Sequence, residues 1–391
     1  MLFKVCYLEN DQHSQLVAIV AGEASGDHHG ADLVSKIRET SSKPIRFCGI
    51  GGSHMKAAGV EVLHESAHLA VVGIVEIFSH FRKIYSVLRK MRQFLKENRP
   101  DLLILIDYPE FNLRLAKTAK QLGIKVLYYI SPQIWAWREH RVHQIGKLVD
   151  MMAVIFPFEI PFYERSGVPV CFVGHPLKNK VKSNLTRNEA LIKFGLESRY
   201  PTLGLFPGSR KSEIKLILPV LIQAAEKISS KIPNTQYLLP LASTLTEAEL
   251  APFLIQSTVP IQVISNRPYD VMVACNGIVA ASGTVTLEVA LMGIPMVVVY
   301  KMKSLTYWVG RLLVKIKYIA LCNIIAEDRI VTELIQAKAT PDQIAKEILD
   351  LLHNNDKVGT MKKKFKIVKD RLEVPSQISI SNLALEMLNT I

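Results

Sequence analysis

The chain has 391 residues, too many for one ordinary hydrophobic core and enough for two domains of nearly equal size. Hydrophobic residues make up 49% and charged residues 21%, a globular composition that excludes intrinsic disorder. The formal net charge of +13 indicates an acidic partner, without choosing among nucleic acid, an anionic lipid surface and a phosphorylated substrate. The five cysteines form no CxxC pair, which argues against a zinc site and favours reduced thiols in the cytoplasm.

No targeting or membrane-spanning segment is predicted. Glu9, Asn10 and Asp11 interrupt the apolar N-terminus before a signal peptide can form. Residues 278–300 are mostly apolar, but they include polar and helix-breaking positions such as Glu288 and Pro295. This stretch therefore predicts a strand, a turn, a buried helix and a second strand.

In the first half, short β-branched runs alternate with amphipathic stretches, the pattern of a parallel sheet with helices on both faces. Helices are predicted near residues 30–38 and 111–122. The predicted strands are residues 16–21, 45–49, 102–107, 124–130, 151–155 and 170–173.

A domain boundary is predicted at Gly174-His175-Pro176, where the alternation stops and a polar stretch follows. The first domain is then residues 1–176 and the second residues 177–365, with a helical tail, 366–391, docking on the first. Thr186 and Glu189 form a capping box that starts the next helix. The predicted strands of the second domain are residues 202–206, 237–240, 261–264, 277–281 and 296–300. The predicted fold is α/β, two Rossmann-like domains facing across a cleft.

Two loops of the first domain follow predicted strands, where open parallel sheets bind ligands. Residues 22–27 form a glycine-bearing turn into a helix, which suits a phosphate or sugar but equally a plain connection. Asp107 ends the third strand before a proline turn, a place suited to a general base. The alternative is an N-cap for the following helix, the commoner role of a lone aspartate.

Two loops of the second domain have a similar position. In Pro207-Gly208-Ser209-Arg210, glycine lets the backbone approach an anion and the arginine adds a forked cation. Ser282-Gly283-Thr284 leads into a helix that carries Glu288 on the same face as Thr284. A glutamate in so apolar a helix needs a partner, and the two hydroxyls of a ribose would supply one.

Other motifs carry less weight. His64-Glu65-Ser66-Ala67-His68 matches HExxH, but the residues before it favour a strand, so we interpret the match as coincidence. Gly49-Ile50-Gly51-Gly52 lacks the third glycine of a dinucleotide loop. In Trp135-Ala136-Trp137, at least one tryptophan is expected in the core.

Together these segments resemble lipid-A-disaccharide synthases, inverting glycosyltransferases of the B-type two-domain fold. The resemblance runs from about Leu16 almost to the C-terminus, and it departs where Leu321-Cys322-Asn323 replaces a usual Leu-Pro-Asn. Besides the loops above, its motifs include Val72-Gly73-Ile74-Val75-Glu76, Phe111-Asn112, Ser131-Pro132-Gln133, Pro157-Phe158-Glu159 and Glu333-Leu334-Ile335-Gln336.

The resemblance implies UDP-2,3-diacylglucosamine as donor and 2,3-diacylglucosamine 1-phosphate as acceptor, with no cofactor and no metal. Asp107 would be the base, Arg210 would hold the diphosphate and Glu288 the ribose, while Glu23 and Ser25 reach across from the first domain. The remaining substrate-binding candidates are Gly22, Gly26, Asp27, Gln133, Trp135, Gly208, Ser209, Ser282, Gly283, Thr284, Asn323 and Gln336.

Two rival functions remain: another two-domain UDP-sugar enzyme, such as a different glycosyltransferase or a UDP-sugar 2-epimerase, and a nucleic-acid-binding protein suggested by charge alone. The predicted function includes no nucleic-acid partner, and it leaves open whether the chain forms a homodimer. Peripheral binding to the inner surface of the cytoplasmic membrane is predicted from two basic, apolar stretches, residues 78–99 and 301–317.

Overall fold

The computed structural model describes residues 14–66, 77–136, 139–302, 317–375 and 377–390. The chain divides into two compact units. Unit 1 comprises Met1–His175 and Val374–Ile391, and unit 2 comprises Pro176–Glu373. Among the residues just given, no helix has the length and apolarity needed to cross a membrane.

The described part of unit 1 contains a parallel seven-stranded sheet with the order β3-β2-β1-β4-β5-β6-β7. Its central strands β1 and β4 are buried along almost their whole length, which requires helices on both faces. The strands are β1 (Gln15–Ala21), β2 (Ile45–Gly51), β3 (Glu61–Glu65), β4 (Leu102–Ile106), β5 (Lys125–Tyr129), β6 (Met151–Val154) and β7 (Val170–Phe172).

Several helices of unit 1 contribute apolar side chains to the hydrophobic core around this sheet. In α3, Leu88, Met91 and Leu95 lie in the hydrophobic core at helical spacing. The helices before the unit boundary are α1 (Ala24–Thr40), α2 (Ser53–Ala57), α3 (Ile77–Asn98), α4 (Pro109–Gln121), α5 (Val142–Gly146) and α6 (Ile160–Glu164).

Within residues 176–302 and 317–373, unit 2 forms a parallel six-stranded sheet with the order β10-β9-β8-β11-β12-β13. Its strands are β8 (Thr202–Phe206), β9 (Gln236–Leu241), β10 (Ile261–Ser265), β11 (Gly277–Ala281), β12 (Met296–Tyr300) and β13 (Thr332–Ile335). Its helices are α7 (Leu177–Lys180), α8 (Arg187–Lys193), α9 (Lys211–Ser229), α10 (Glu247–Leu254), α11 (Pro268–Ala274), α12 (Val285–Leu291), α13 (Leu321–Ala326), α14 (Pro341–His353) and α15 (Asn355–Arg371).

The last helix, α16 (Ile380–Asn389), belongs to unit 1 and packs on α1. Its buried side chains are Ala384, Leu388 and Ser381. The Gln15 amide donates to the Leu388 carbonyl oxygen at 3.3 Å, which joins the helix to the start of β1.

Both sheets have a point at which the strand order reverses. In unit 1, β1 lies between β2 and β4, and in unit 2, β8 lies between β9 and β11. Ligands of open α/β sheets bind at the carboxyl ends of strands at such a point. The topology therefore selects the loops after β1 and β4 in unit 1, and those after β8 and β11 in unit 2.

The eleven strands predicted along the two domains are confirmed, with ends that differ by at most two residues. β3 overlaps the strand predicted before the HExxH match, and β13 was not predicted. β13 has four residues at a sheet edge, three of them half-buried, so its hydrophobic signal is weak. The capping box is confirmed, because the Glu189 carboxylate accepts from the Thr186 amide at 2.7 Å.

Candidate functional site

Asp107 lies directly after β4 in an unusual turn. Asp107 and Tyr108 both have left-handed backbone conformations, with φ of 46° and 47°. Side chains other than glycine adopt this region at a cost of roughly 1–2 kcal/mol each. The backbone carbonyl oxygen of Asp107 accepts two hydrogen bonds of 2.6 Å, one from the side-chain amide of Asn112 and one from the Tyr128 hydroxyl. These two buried donors therefore hold the turn in place.

The Asp107 carboxyl is a weak acid in this position. Burial raises its pKa, and the negative charge of Glu23 adds to the effect, bringing the pKa to about 6. Glu23 is exposed just after β1, the strand next to β4. The Tyr108 ring occupies the space that a Cβ at position 22 would need, so position 22 requires glycine. The structure thus places Gly22, Glu23 and Asp107 at the switch point of unit 1.

Asp27 was predicted to bind substrate, but its carboxylate is already occupied within unit 1. It accepts from the amides of Gly52 (2.6 Å), His54 (3.1 Å) and Met55 (3.0 Å), and it lies 3.0 Å from the His54 ring nitrogen. Burial alone would raise the pKa of Asp27, but these hydrogen bonds lower it below the ordinary value. We therefore assign Asp27 the task of fixing the start of α2.

The other predicted residues of this loop differ in exposure. Ser25 is exposed on the first turn of α1. Gly26 is buried, and a Cβ there would lie only 3.2 Å from that of Ala21. Gly26 therefore lets the helix approach β1, a packing role that the sequence pattern did not separate from ligand binding.

The loop after β6 contains a buried carboxyl that was not predicted to belong to the site. Glu159 is fully buried and accepts from the Ser131 hydroxyl and, at 3.1 Å, from the Phe156 amide. Burial raises the pKa of Glu159 to about 7 despite these hydrogen bonds. Gln133 is exposed on the loop after β5, which also carries Ser131, and Trp135 of that loop packs edge-on against Phe158. Trp137 lies outside the described residues.

The loop after β8 carries an anion of its own. The Glu213 carboxylate accepts from the amides of Ser209 (2.9 Å) and Arg210 (3.2 Å), and from the Arg210 guanidinium at 3.1 Å. Gly208 has φ of 110°, and a Cβ at this position would collide with the same carboxylate. The amides of Ser209 and Arg210 therefore converge on one anion, the Glu213 carboxylate, while ligand binding by Gly208, Ser209 and Arg210 stays a prediction.

Glu288 has the partner that its apolar helix requires. The Tyr269 hydroxyl donates to Glu288 at 2.9 Å, while burial raises the pKa of the Glu288 carboxyl. Tyr269 is the second residue of α11 and follows Pro268. It was not predicted as a site residue, because its only sequence signals were its position after β10 and that proline. Gly283 and Thr284 are exposed one turn earlier, with open space in front of Gly283.

Asn323 was predicted to contact substrate, but it is fully buried and its amide is fully used. Its oxygen accepts from Ile330 and Val331, and its nitrogen donates to the Val331 carbonyl and to Glu333. We therefore correct its role from ligand contact to positioning.

Glu333, which accepts a hydrogen bond from the Asn323 side chain, supports the loop after β11. The Glu333 carboxylate accepts from the amides of Ile319 and Ala320 at 2.9–3.2 Å. The Ile319 carbonyl in turn accepts from the Ser282 hydroxyl at 2.9 Å. Gln336 bonds both the amide and the carbonyl of Met302, so its carboxamide also serves the backbone.

The described residues of the HExxH match do not form the α-helix that a zinc site of this type requires. His64 lies on strand β3, and His68 falls outside the described residues. Across the ranges that the structure describes, no three histidine, cysteine, aspartate or glutamate side chains come together as metal ligands.

Comparison with known proteins gives consistent similarities. The family model described as Lipid-A-disaccharide synthetase matches residues 17–387. The chain is 59% identical over 378 residues to the lipid-A-disaccharide synthase of Nitrosococcus oceani, covering 97% of each chain. It is 49% identical over 375 residues to that of Geobacter metallireducens, covering 95% of this chain and 97% of the relative.

Solved structures show the same fold at low sequence identity. A UDP-GlcNAc 2-epimerase from Neisseria meningitidis, bound to UDP-GlcNAc, gives a TM-score of 0.61 at 11% identity, covering 97% of this chain and all of that one. The calicheamicin glycosyltransferase CalG4 gives 0.59 at 14% identity, covering 97% and 99%. These likenesses establish two parallel-sheet α/β domains of the glycosyltransferase B type.

The position of Asp27 predicts a measurable loss of stability on truncation. Asp27→Ala leaves the start of α2 without its carboxylate, so the free energy of unfolding should fall by about 2–3 kcal/mol in urea titrations near neutral pH. Because the folded-state pKa is lowered, the loss should shrink as the pH falls below the ordinary value of 3.8. Glu39→Ala, an exposed change on the same helix, should cost less than about 0.5 kcal/mol. Equal effects would contradict the assignment.

Proposed function

We propose a catalytic scheme from one premise: the chain belongs to the lipid-A-disaccharide synthase family. It is a glycosyltransferase of lipid A biosynthesis. The reaction joins UDP-2,3-diacylglucosamine to 2,3-diacylglucosamine 1-phosphate and yields the β-1,6-linked lipid A disaccharide 1-phosphate and UDP. In this scheme unit 1 supplies the base and unit 2 binds the donor.

Asp107 is the proposed general base. It takes the proton from the acceptor 6-hydroxyl while that oxygen forms a bond to the anomeric carbon of the donor. The bond from that carbon to the UDP oxygen breaks, and its electron pair leaves with UDP, so the anomeric configuration inverts. The observation that carries this assignment is the Asp107 turn. Asn112 and Tyr128 hold its backbone carbonyl oxygen, and its half-buried carboxyl lies at the switch point with a pKa raised by burial to about 6. A base with a pKa near the working pH transfers protons efficiently.

The donor is assigned to the switch point of unit 2. Ser209 and Arg210 would donate to the diphosphate from the loop after β8, with Gly208 allowing close approach. Glu288, oriented by Tyr269, would accept from the ribose hydroxyls. The chain of hydrogen bonds from Asn323 through Glu333 and Ile319 to Ser282 would keep the second loop in place.

The main rival is a UDP-sugar 2-epimerase. Its support is structural likeness at 11–12% identity, which shows the fold alone. The family match spans nearly the whole chain and favours glycosyl transfer. Mass spectrometry of the products made from the two proposed substrates tests this choice, since a disaccharide supports transfer and a UDP-linked epimer contradicts it.

Peripheral attachment to the inner face of the cytoplasmic membrane remains a proposal, and the structure narrows where it could occur. The predicted apolar stripe of α3 is not available at Leu88, Met91 and Leu95, because these side chains form the core. Tyr85 is 61% exposed, and Arg89 is exposed one turn further along. Most of residues 301–317 and the side chains of Phe78 and Phe81 lie outside the description.

Asp107→Asn should separate catalysis from binding. Turnover should fall by about 10²–10⁴-fold because the amide cannot accept the proton, while UDP affinity in calorimetry stays unchanged. The wild-type rate should fall as the pH drops through about 6, since only the ionised carboxylate acts as a base. Glu23→Gln removes the neighbouring charge and should move this fall to lower pH. Full turnover by Asp107→Asn would make Asp107 a structural turn residue.

The same Asp107→Asn variant should also be more stable near neutral pH. An acid with a raised folded-state pKa favours folding fully below its unfolded pKa of 3.8 and loses that contribution as the pH rises through about 6. Ionisation of Asp107 thus costs on the order of 2–3 kcal/mol at pH 7–8, which the amide avoids. Urea titration of both proteins at pH 4 and pH 8 measures this: their difference should appear only at the higher pH.

Glu288→Ala should weaken UDP binding by about 10- to 100-fold through loss of two ribose hydrogen bonds. Tyr269→Phe keeps the carboxylate but removes its orienting hydrogen bond, so a smaller loss is expected. Affinity for inorganic diphosphate is the internal control, because it has no ribose and should be unaffected by either change. Unchanged UDP affinity for Glu288→Ala would refute the assignment.

Charge reversal on α3 tests membrane attachment. Arg89→Glu with Lys90→Glu should reduce sedimentation with anionic vesicles by about tenfold or more at low salt, since each cation contributes about 1 kcal/mol there. Lys362→Glu with Lys363→Glu makes the same charge change at exposed positions of unit 2 and should have little effect. Equal losses in both variants would point to net charge rather than to this helix.

A further inference from the structure

The loop after β8 contains a carboxylate where the scheme above needs a phosphate. Glu213 is on the first turn of α9, and it reaches back to the Ser209 and Arg210 amides and to the Arg210 guanidinium, all within 3.2 Å. An acid at the third position of a helix often returns to the N-cap amide. Here it also takes the amide one residue earlier and the guanidinium.

We propose that Glu213 is an internal competitor for the donor diphosphate: it occupies the Gly208-Ser209-Arg210 loop in the free protein and must leave for UDP to bind. The inference rests on the proposed function of that loop. Its basis is geometric, because the donors are the same ones that a diphosphate would use, and a side chain at position 208 would exclude either anion.

The surroundings favour an exchange over simultaneous binding. Two anions sharing three donors repel each other, and the neighbouring cation Lys211 is already paired with Glu249 at 2.6 Å. Tyr300, at the end of β12, is near this ion pair: burial and then the charge of Glu213 raise the pKa of its hydroxyl, while Arg210 lowers it. The Arg210 side chain is largely exposed and therefore free to follow a ligand.

The exchange has two physical consequences. In the free protein, Glu213 keeps the loop amides paired and the loop in its binding conformation, which lowers the ordering cost of binding. When UDP leaves after glycosyl transfer, the Glu213 carboxylate returns and again accepts the hydrogen bonds of the loop amides. UDP affinity is therefore weaker than the loop alone would provide.

Glu213→Gln tests the proposal, since glutamine still completes a capping box but carries no charge. UDP should bind about three- to tenfold more tightly to this variant in calorimetry, whereas uridine, which lacks the diphosphate, should bind as it does to the wild type. Glu189→Gln is the matched control: it alters the capping glutamate of α8 and should change neither affinity.

The outcomes are distinct. Unchanged or weaker UDP binding by Glu213→Gln, with uridine unchanged, would overturn the competitor and make Glu213 a cap only. Equal tightening of UDP and uridine would overturn it as well, because the effect would then not involve the diphosphate. Wild-type protein that binds neither ligand would instead count against the proposed donor site. If Glu213→Gln lowers the melting temperature, Glu213→Ala provides a second variant without the charge. The ratio of its UDP affinity to its uridine affinity is measured well below the unfolding transition and compared with the wild-type ratio.

Discussion

The direction of the strand connections is the constraint on which this structure depends. Right-handed crossovers that leave β1 and β4 toward opposite edges of a sheet place the following helices on opposite faces. This arrangement leaves a crevice outside the carboxyl ends of these two strands, and the strand order of β8 and β11 is reversed in the same way. In each unit, the loops that follow the two strands present backbone amides and polar side chains at this crevice. The residues proposed for chemistry, Asp107 and Glu23 in unit 1 and Arg210 in unit 2, follow these strands.

The cost of burying a carboxylate then separates functional acids from structural ones. Asp27 and Asp107 are both shielded from water, yet their pKa values move in opposite directions. Asp27 receives three backbone N–H groups, which hold it as an anion. Asp107 receives less compensation and has Glu23 nearby, so it keeps an affinity for protons. A carboxyl left short of donors is an expensive feature that suits a base.

Sequence patterns predicted the fold well because parallel strands buried on both faces are long apolar runs with little ambiguity. They also found the loops, since a strand followed by Gly-Ser-Arg or by Asp-Tyr-Pro marks a carboxyl end. They did not distinguish residues that touch a ligand from residues that hold such residues in place. Asn323 shows why: a polar residue has the same letter whether its hydrogen bonds go to substrate or, as here, to the backbone of Ile330 and Val331 and to the Glu333 carboxylate. Tyr128 and Tyr269 were missed for a related reason, because each acts through one hydroxyl on an otherwise apolar element.

Both units seat a carboxylate on backbone amides, and the difference between the two seats decides their use. Asp27 is buried, makes four hydrogen bonds with three residues, and joins two helices, so its removal breaks the packing of unit 1. Glu213 is one-fifth exposed, and its hydrogen bonds to described residues stay within its own loop and helix, where a stronger and doubly charged anion can replace it. Backbone amides that already hold an internal carboxylate are in their binding conformation, so the loop does not have to be ordered when the ligand binds. A protein can thus keep an anion site formed in the absence of its ligand, provided that the internal anion is weaker than the ligand and has somewhere else to go.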